Sequence, residues 1–461
     1  MRQSQEITTN FLGNGSSTAT NNNPTLRACG DLAKWPSRRV QQRQAELVES
    51  DPQPTSQSSP PTEMSPAAPG SDIREMTSPI HCLPVELLAE VFRQLHASIV
   101  AGEPFPDPTS KLDKTVTRIC KAWRRVAYDT PSLWTTYLAQ TSEAAMDTHL
   151  ERYLPLAKNY PLELVSPLPS HTLLAFIEKL RPYAYQWRAA RLLAGGRELR
   201  SIKPLATPNL EYLYIETAEP DEIISLKAFE YAPRLRRLHV RASASLPEFV
   251  LELPSTARLT ALKLDITKLN IPDILPTLWQ CSETLEELEL VVHYPHSGLS
   301  FPPTLVHLPA LKRITLRYGP CDVLEWLSMP NVEEICLYCE AKQASIALQS
   351  FLHRDPHAAA HLRRLEIGIP SAFSVFFLIQ CLLLTTNLEE LMLVESLPQA
   401  LIKLLDALTC RDNHPPLLPR LKSLDFYRSS TKEGFSYKEF AKSRASQKVV
   451  CGVAVAALRG A

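Results

Sequence analysis

The chain carries no net charge, because 49 basic and 49 acidic residues balance. No global field therefore draws it to nucleic acid or to an anionic membrane, and any charged recognition is local. The N-terminus, MRQSQEITTN, has no apolar core of signal-peptide length. The most apolar stretches, 373–384 and 449–458, are too short to span a bilayer, so a buried helix and a C-terminal flap are expected there instead. Catalytic signatures are missing as well: there is no Walker loop, no dinucleotide glycine fingerprint, no GxSxG and no HExxH. A lone CxxC, Cys336 and Cys339, falls in an expected strand, where alternation turns the two side chains to opposite faces and no second pair follows, which argues against zinc. His293 and His296 in VVHYPHSG are expected in a loop, without acidic or cysteine partners at metal spacing. No catalytic residue, metal or cofactor is expected.

Glycine is scarce, 13 residues against 39 prolines, and the prolines recur at the spacing of turn markers between repeated elements. The ten cysteines do not read as a disulfide framework, since Cys120, Cys281 and Cys381 sit inside apolar stripes. They fit small buried hydrophobes in a reducing compartment, so a cytoplasmic or nuclear protein is expected. With 44% hydrophobic residues the chain has ample material for a large core.

Residues 1–77 are the exception. Runs such as DPQPTSQSSPPTEMSPAAPGS bury too little apolar surface to offset the entropy of ordering, and a disordered tail is expected. In LPVELLAEVFRQL, Leu83, Leu87, Leu88, Val91, Phe92 and Leu95 recur at helical spacing, and Pro84 suits the first turn. Residues 97–111 carry three prolines around Phe105 and are expected to form a loop. In TRICKAWRRVAYDTPSLW a second helix is expected, with Val116, Ile119, Cys120, Trp123 and Val126 on one stripe and Lys111, Lys114, Arg118, Lys121, Arg124 and Arg125 on a basic face. Residues 139–184 are expected to hold helices at 144–154 and 173–180 around a short strand, Pro161 to Val165.

From Tyr185, first weakly and then clearly, a Leu-x-x-Leu-x-Leu unit recurs. Its leading apolar positions are Leu210, Leu235, Leu259, Leu285, Leu311, Val332, Leu362, Leu388 and Leu421, at intervals of 21 to 33 residues. Alternation within each copy is the strand period, and the gaps hold helix-like segments such as 273–281, 321–328 and 400–408. The expectation is an irregular leucine-rich-repeat-like solenoid with a parallel strand ladder over 185–428, followed by a C-terminal tail at 429–461.

Stacking the copies in register lines up the residues after each leading apolar position. They read Glu286-Glu287, Lys312-Arg313, Glu333-Glu334, Arg363-Arg364, Glu389-Glu390 and Lys422-Ser423, so each acidic pair is expected between basic ones. On the concave face, aromatic and Arg groups are favoured interface anchors, which makes Tyr214, Arg241, Arg317, Tyr338 and Tyr427 candidates for binding a target protein.

The order Leu-Pro-x-Glu-Leu-Leu from Leu83, Cys-x-x-Trp-Arg-x-Val-Ala from Cys120 and Thr-Pro-x-Leu-Trp from Thr130 resembles the F-box, in the form that precedes leucine-rich repeats in fungal proteins. The resemblance implies an α/β chain with a short all-α F-box at 78–138. It also implies docking on a Skp-family adaptor, and through it on a cullin, by Leu83, Pro84, Leu87, Leu88, Val91, Phe92, Ile119, Cys120 and Trp123, with Leu133 and Trp134 joining the F-box to the repeats. It implies a non-catalytic, substrate-selecting subunit of a Skp-cullin-F-box ubiquitin ligase, with no nucleic-acid or membrane partner. The rival expectation is a repeat scaffold or receptor whose F-box helices only cap the open end of the solenoid.

Overall fold

The structure is a computed structural model. It describes residues 83–458 apart from 102–104, 106, 168–170, 218–222, 244–248, 296–304, 340, 369–371, 395–397, 412–414, 428–434, 446–447 and 451–452. The tail expected at 1–77 lies outside the described residues, and Thr77–Ala461 forms one compact unit.

Three short helices open the described chain: α1 (Val85–Ala101), α2 (Pro108–Thr115) and α3 (Lys121–Tyr128). The loop expected at 97–111 is thus shorter than foreseen. Pro108 does not break a helix but starts one, at a position whose missing amide would have no intrahelical partner, and Asp107 caps it by accepting from Ser110 N at 3.1 Å. Helices α4 (Glu143–Ala157) and α5 (His171–Leu180) follow near their expected places.

The rest is built on one sheet of twelve parallel strands in which every strand lies beside its neighbours in sequence. They are β1 (Thr136–Leu138), β2 (Leu162–Ser166), β3 (Trp187–Leu193), β4 (Tyr212–Thr217), β5 (Arg237–Ala242), β6 (Ala261–Leu269), β7 (Glu287–Pro295), β8 (Arg313–Tyr318), β9 (Glu334–Cys339), β10 (Arg364–Gly368), β11 (Glu390–Val394) and β12 (Ser423–Tyr427). Strands β3 to β12 coincide with the ten sequence copies. Strand β1 was not foreseen, and β2 belongs to the sheet rather than to a separate linking region. His293 lies on β7, not in a loop.

Alternation sorts the strand residues onto two faces. Leu213, Ile215, Leu238, Val240, Leu264, Leu290, Leu316, Leu337, Ile367 and Leu393 are buried on the inner face, and all nine leading apolar positions are buried beneath them. The returns between strands close this core in two ways. Early returns are extended, with Ile223–Ser225 pairing in parallel with Val250–Glu252, and Val306–His307 with Leu327–Ser328. Later ones are helical: α6 (Ala341–Arg354), α7 (Pro356–His361), α8 (Ala372–Leu384) and α9 (Pro398–Leu408). Helix α8 is not the fully buried helix expected, because Phe376 and Leu383 on its outer side are exposed.

Asparagine ties successive units together. Asn209, Asn331 and Asn387, each one residue before a leading apolar position, donate through Nδ2 to the carbonyls of Tyr185, Pro309 and Ala360 at 2.7, 2.8 and 2.7 Å. Tyr185 and Ala360 are the next-to-last residues of the helical segments Arg181–Gln186 and Pro356–His361, where carbonyls run out of intrahelical partners, and Pro309 lies in a turn.

The charge ladder falls in the expected register: Glu287, Arg313, Glu334, Arg364, Glu390 and Ser423 are direct neighbours across β7 to β12. Arg313 reaches Glu287 at 2.8 Å and Glu334 at 2.7 Å, and Arg364 reaches Glu334 at 3.4 Å and Glu390 at 3.5 Å. The second column pairs likewise, Lys312 with Glu286 at 2.8 Å and Lys422 with Glu389 at 2.7 Å. Exposed pairs contribute about 0–1 kcal/mol each, so the ladder specifies register more than it stabilises. Skipping one strand in the order would set Glu287 beside Glu334 and Arg313 beside Arg364, like charge against like. Arg313→Glu places three carboxylates in a row and is expected to cost about 1–2 kcal/mol. The same reversal at Arg125, exposed and 3.7 Å from Asp129, is expected to cost less than about 0.5 kcal/mol. Urea unfolding of both variants measures the difference, and equal losses would remove the ladder as a register device.

The segment expected as a C-terminal tail closes the sheet. Helix α10 (Phe435–Ser443) packs Tyr437 against Phe426 of β12, and the hairpin Lys448–Val450 with Val453–Val455 returns so that Ala456 N donates to the Pro419 carbonyl at 2.7 Å.

Candidate functional site

The helical module at the front has two apolar faces. On α1, Leu88, Ala89 and Phe92 point inward to Leu112, Val116, Val126, Ala127, Leu133 and Trp134, all buried. Phe92 is 1% exposed, its ring centroid 5.2 Å from that of Trp123. Leu87, Val91 and Leu95, spaced by four residues, form the other face, and Leu83, exposed as well, lies just before the helix; Leu87 is 55% and Val91 52% exposed. Ile119, in the turn between α2 and α3, is 58% exposed.

The nine residues expected to dock on an adaptor therefore divide. Leu83, Leu87, Val91 and Ile119 are exposed, whereas Leu88 and Phe92 belong to the module's own core. Pro84 is exposed and precedes α1, its carbonyl accepting the first helical bond from Leu88 N at 3.1 Å. The second helix does not run on from Thr117: Cys120 caps α3, its Sγ accepting from Trp123 N at 3.4 Å. Trp123 is partly buried against the core.

The module is locked to the elements that follow by Trp134, which the sequence singled out, and by groups that it did not. Asp113 is buried, and its carboxylate takes Arg152 at 2.8 Å, Tyr153 Oη at 3.0 Å and Thr117 Oγ1 at 3.1 Å. Burial and this carboxylate push the Tyr153 phenol up to about 12, so it stays a donor. Trp134 Nε1 donates to the Ala127 carbonyl at 2.7 Å while its ring stacks on Tyr153. Thr109 Oγ1 donates to the Thr136 carbonyl on the first strand at 2.6 Å. The inner face of the module thus does what a cap does, and the outer stripe is left over.

On the outer face of the sheet the candidate target-binding residues are already engaged with neighbours. Tyr214 is buried, edge-on to Phe105 and His239, with its hydroxyl donating to Glu216 at 2.7 Å, so it is not a free anchor. Arg241 is exposed between Glu216 at 3.7 Å and Asp265 at 3.6 Å. Arg317 lies 4.4 Å over the Tyr338 ring and 3.2 Å from Glu289. Tyr427 ends β12 beside Val394. One pair not foreseen stands at the rim: His293 and Tyr318 stack with centroids 4.7 Å apart.

His239 offers a pH test. Burial first, then Lys263 and Arg241, pull its pKa down from 6.5 to about 3. The folded chain resists protonating it, so the stability that goes with neutral His239 is complete above about pH 6.5 and is lost as pH falls toward 3. His239→Gln is expected to flatten the fall of Tm on acidification relative to the wild type, in which His96 and His149, also lowered by burial, continue to contribute. Parallel Tm curves would contradict this.

Among the described residues no three or more His, Cys, Asp or Glu gather as metal ligands, and no helix is long and apolar enough to cross a membrane. His307, Ser328 and Asp355 have the composition of a hydrolytic triad but the wrong order. Ser328 Oγ lies 3.1 Å from His307 Nδ1 and 3.4 Å from Asp355 Oδ2, so the carboxylate meets the serine rather than orienting the imidazole. Asp355 instead caps α7 through Ala358 N. One cysteine pair departs from the expectation of separate thiols: Cys321 and Cys339 are disulfide-bonded.

Fold and surfaces together define a mixed α/β protein with a long parallel sheet and an end module that keeps an apolar stripe in solvent. No protein-family model and no curated protein matches the chain.

Proposed function

We propose that the chain is the substrate-recognition subunit of a Skp-cullin-F-box ubiquitin ligase. The module α1 to α3 docks on a Skp-family adaptor, which bridges to a cullin, and the outer face of the leucine-rich-repeat-like solenoid holds a target protein. The observation that carries this reading is the double-faced helix α1. Its Leu88/Phe92 face is consumed by the module's core, yet Leu83, Leu87, Val91 and Leu95 remain exposed in one line. A helix that served only as a cap would have polar groups on that side. The chain itself supplies no chemistry in this role; it raises the local concentration of a target lysine near the loaded enzyme.

The second reading, a scaffold or receptor whose helices only cap the solenoid, draws on the buried inner face and on the Thr109 to Thr136 bond. The two are separated by affinity purification from cells held with a proteasome inhibitor, comparing the wild type with Leu87→Asp plus Val91→Asp. Deleting the module would be a poor control, since it strips Trp134 and Phe92 from the core. A ligase subunit loses adaptor and cullin but keeps its targets, whereas a scaffold shows no adaptor in either sample.

A further inference from the structure

Cys321 opens the 3-10 connector Pro320–Trp326 that follows β8, and Cys339 ends β9. The two are bonded with Cα atoms 6.5 Å apart across 18 residues. Three of the other described cysteines are poor exchange partners: Cys281, Cys336 and Cys381 are buried thiols that burial pushes up to about 12. Cys321 is buried and Cys339 only half-buried, so solvent reaches the pair from the Cys339 side.

The bond closes a tight corner. Tyr318 has φ 71°, a left-handed conformation that is costly for an aromatic residue, and Gly319 N then donates to the Val292 carbonyl at 3.1 Å. The far end of the connector has a permanent anchor, because Arg354 donates to the carbonyls of Leu324, Glu325 and Leu327 at 2.6, 2.8 and 2.7 Å. The near end is held by the Gly319 bond to Val292 and by the cysteines. Tyr318 is also the residue whose ring stacks on His293 at the rim of the outer face, next in sequence to Arg317, which lies over Tyr338.

We propose that Cys321 and Cys339 form a reversible thiol–disulfide exchange site, entered at Cys339, that sets the corner Tyr318–Cys321 and with it the aromatic rim of the outer face. Its regulatory meaning rests on the proposed function, since a chain working with an intracellular adaptor meets a reducing pool in which disulfides are transient or sensing. The oxidant is a low-molecular-weight disulfide of the glutathione class. The Cys339 thiolate attacks one sulfur of that disulfide, breaking its S–S bond and releasing one thiolate. The Cys321 thiolate then attacks Cys339 Sγ, forming the internal bond and releasing the second thiolate. The two cysteine protons pass to the two released thiolates, and the two electrons lost by the cysteines reduce the oxidant.

The test uses the purified full chain equilibrated at stepped ratios of reduced to oxidised glutathione, blocked by alkylation and mapped by mass spectrometry without reduction. The expected result is a cross-linked pair of peptides containing Cys321 and Cys339 that appears and disappears reversibly with the ratio. On reduction, amide exchange over 318–326 is expected to rise roughly tenfold while 143–166 is unchanged. In Cys321→Ser, Cys339 is expected to carry glutathione, whereas in Cys339→Ser the buried Cys321 stays unmodified. A cross-link absent at every ratio, one that survives every ratio, or exchange over 318–326 indifferent to reduction would overturn the proposal. None of these readouts involves the adaptor, so a failure here is distinct from a failure of the ligase reading.

Discussion

Leu87→Asp combined with Val91→Asp is expected to abolish capture of a Skp-family adaptor, weakening Kd at least about a hundredfold, while Tm stays within about 2 °C of the wild type. Both side chains are more than half exposed, so the carboxylates cost little in the free chain. Docking would instead bury two unpaired charges in an apolar contact, which costs several times the roughly 3 kcal/mol that a hundredfold requires. Leu88 and Phe92, one residue along from each, are expected to behave in the opposite way. Phe92→Ala removes a ring that is 1% exposed and packed on Trp123, at a cost of about 3–5 kcal/mol. The fraction of Phe92→Ala that remains folded should bind the adaptor normally. Thermal melts and a pull-down on the double Asp variant and on Phe92→Ala give both readouts. A double Asp variant that binds as well as the wild type would dissociate the stripe from the function.

The second large effect lies at the other end of the sheet. Arg444 is completely buried, and no carboxylate answers it among the hydrogen bonds described; its guanidinium donates to backbone carbonyls instead. Nη1 reaches Leu418 O at 2.8 Å, Nε and Nη2 each reach Leu408 O at 3.3 Å, and Nη2 also meets Leu417 O. Leu408 is the last residue of α9, so the cation sits where the helix presents unsatisfied carbonyls and the negative end of its dipole. Arg444→Ala strips the guanidinium from these carbonyls, of which Leu418 O keeps its bond from Leu421 N at 3.2 Å, and a loss of about 3–5 kcal/mol is expected. Arg444→Lys should recover less than half of it, because one ammonium cannot span three carbonyls in the plane of a guanidinium. Chemical unfolding of the two variants measures this, and a lysine variant as stable as the wild type would show that charge alone suffices.

How far the sequence was legible differs from element to element. The sheet could be read because each copy repeats a strand pattern and a charge sign. The run of Glu-Glu and Lys-Arg pairs gave the register before any coordinate, and Glu287, Arg313, Glu334 and Arg364 are neighbours as that run requires. Strand β1 was missed because three residues are too few to show a period. The later helices α6 and α7 escaped the pattern because AKQASIALQSFLHR is poor in leucine, its inward side being built partly from Ala344, Ser345 and Ala347.

The candidate site was legible only in outline. Helical spacing identified Leu83 to Leu95 as apolar, but two apolar stripes share α1, and periodicity does not say which faces inward. That was settled by α2, which begins at a proline that reads as a helix breaker in isolation. Asp113 could not be found from sequence, since its partners Arg152 and Tyr153 are about forty residues away and each looks like an ordinary surface residue. Tyr214 was misplaced for the same kind of reason: strand alternation sets it on the outer face, but Phe105 comes from a distant loop to cover it.

The most direct test of the account is a calorimetric titration of the purified wild-type chain with a purified Skp-family adaptor. A one-to-one complex in the submicromolar range with a negative heat-capacity change, the mark of apolar surface leaving water, is expected, and the Leu87→Asp, Val91→Asp chain is expected to give no heat of binding. A wild-type chain that shows no binding, or a complex with no heat-capacity change, would contradict it.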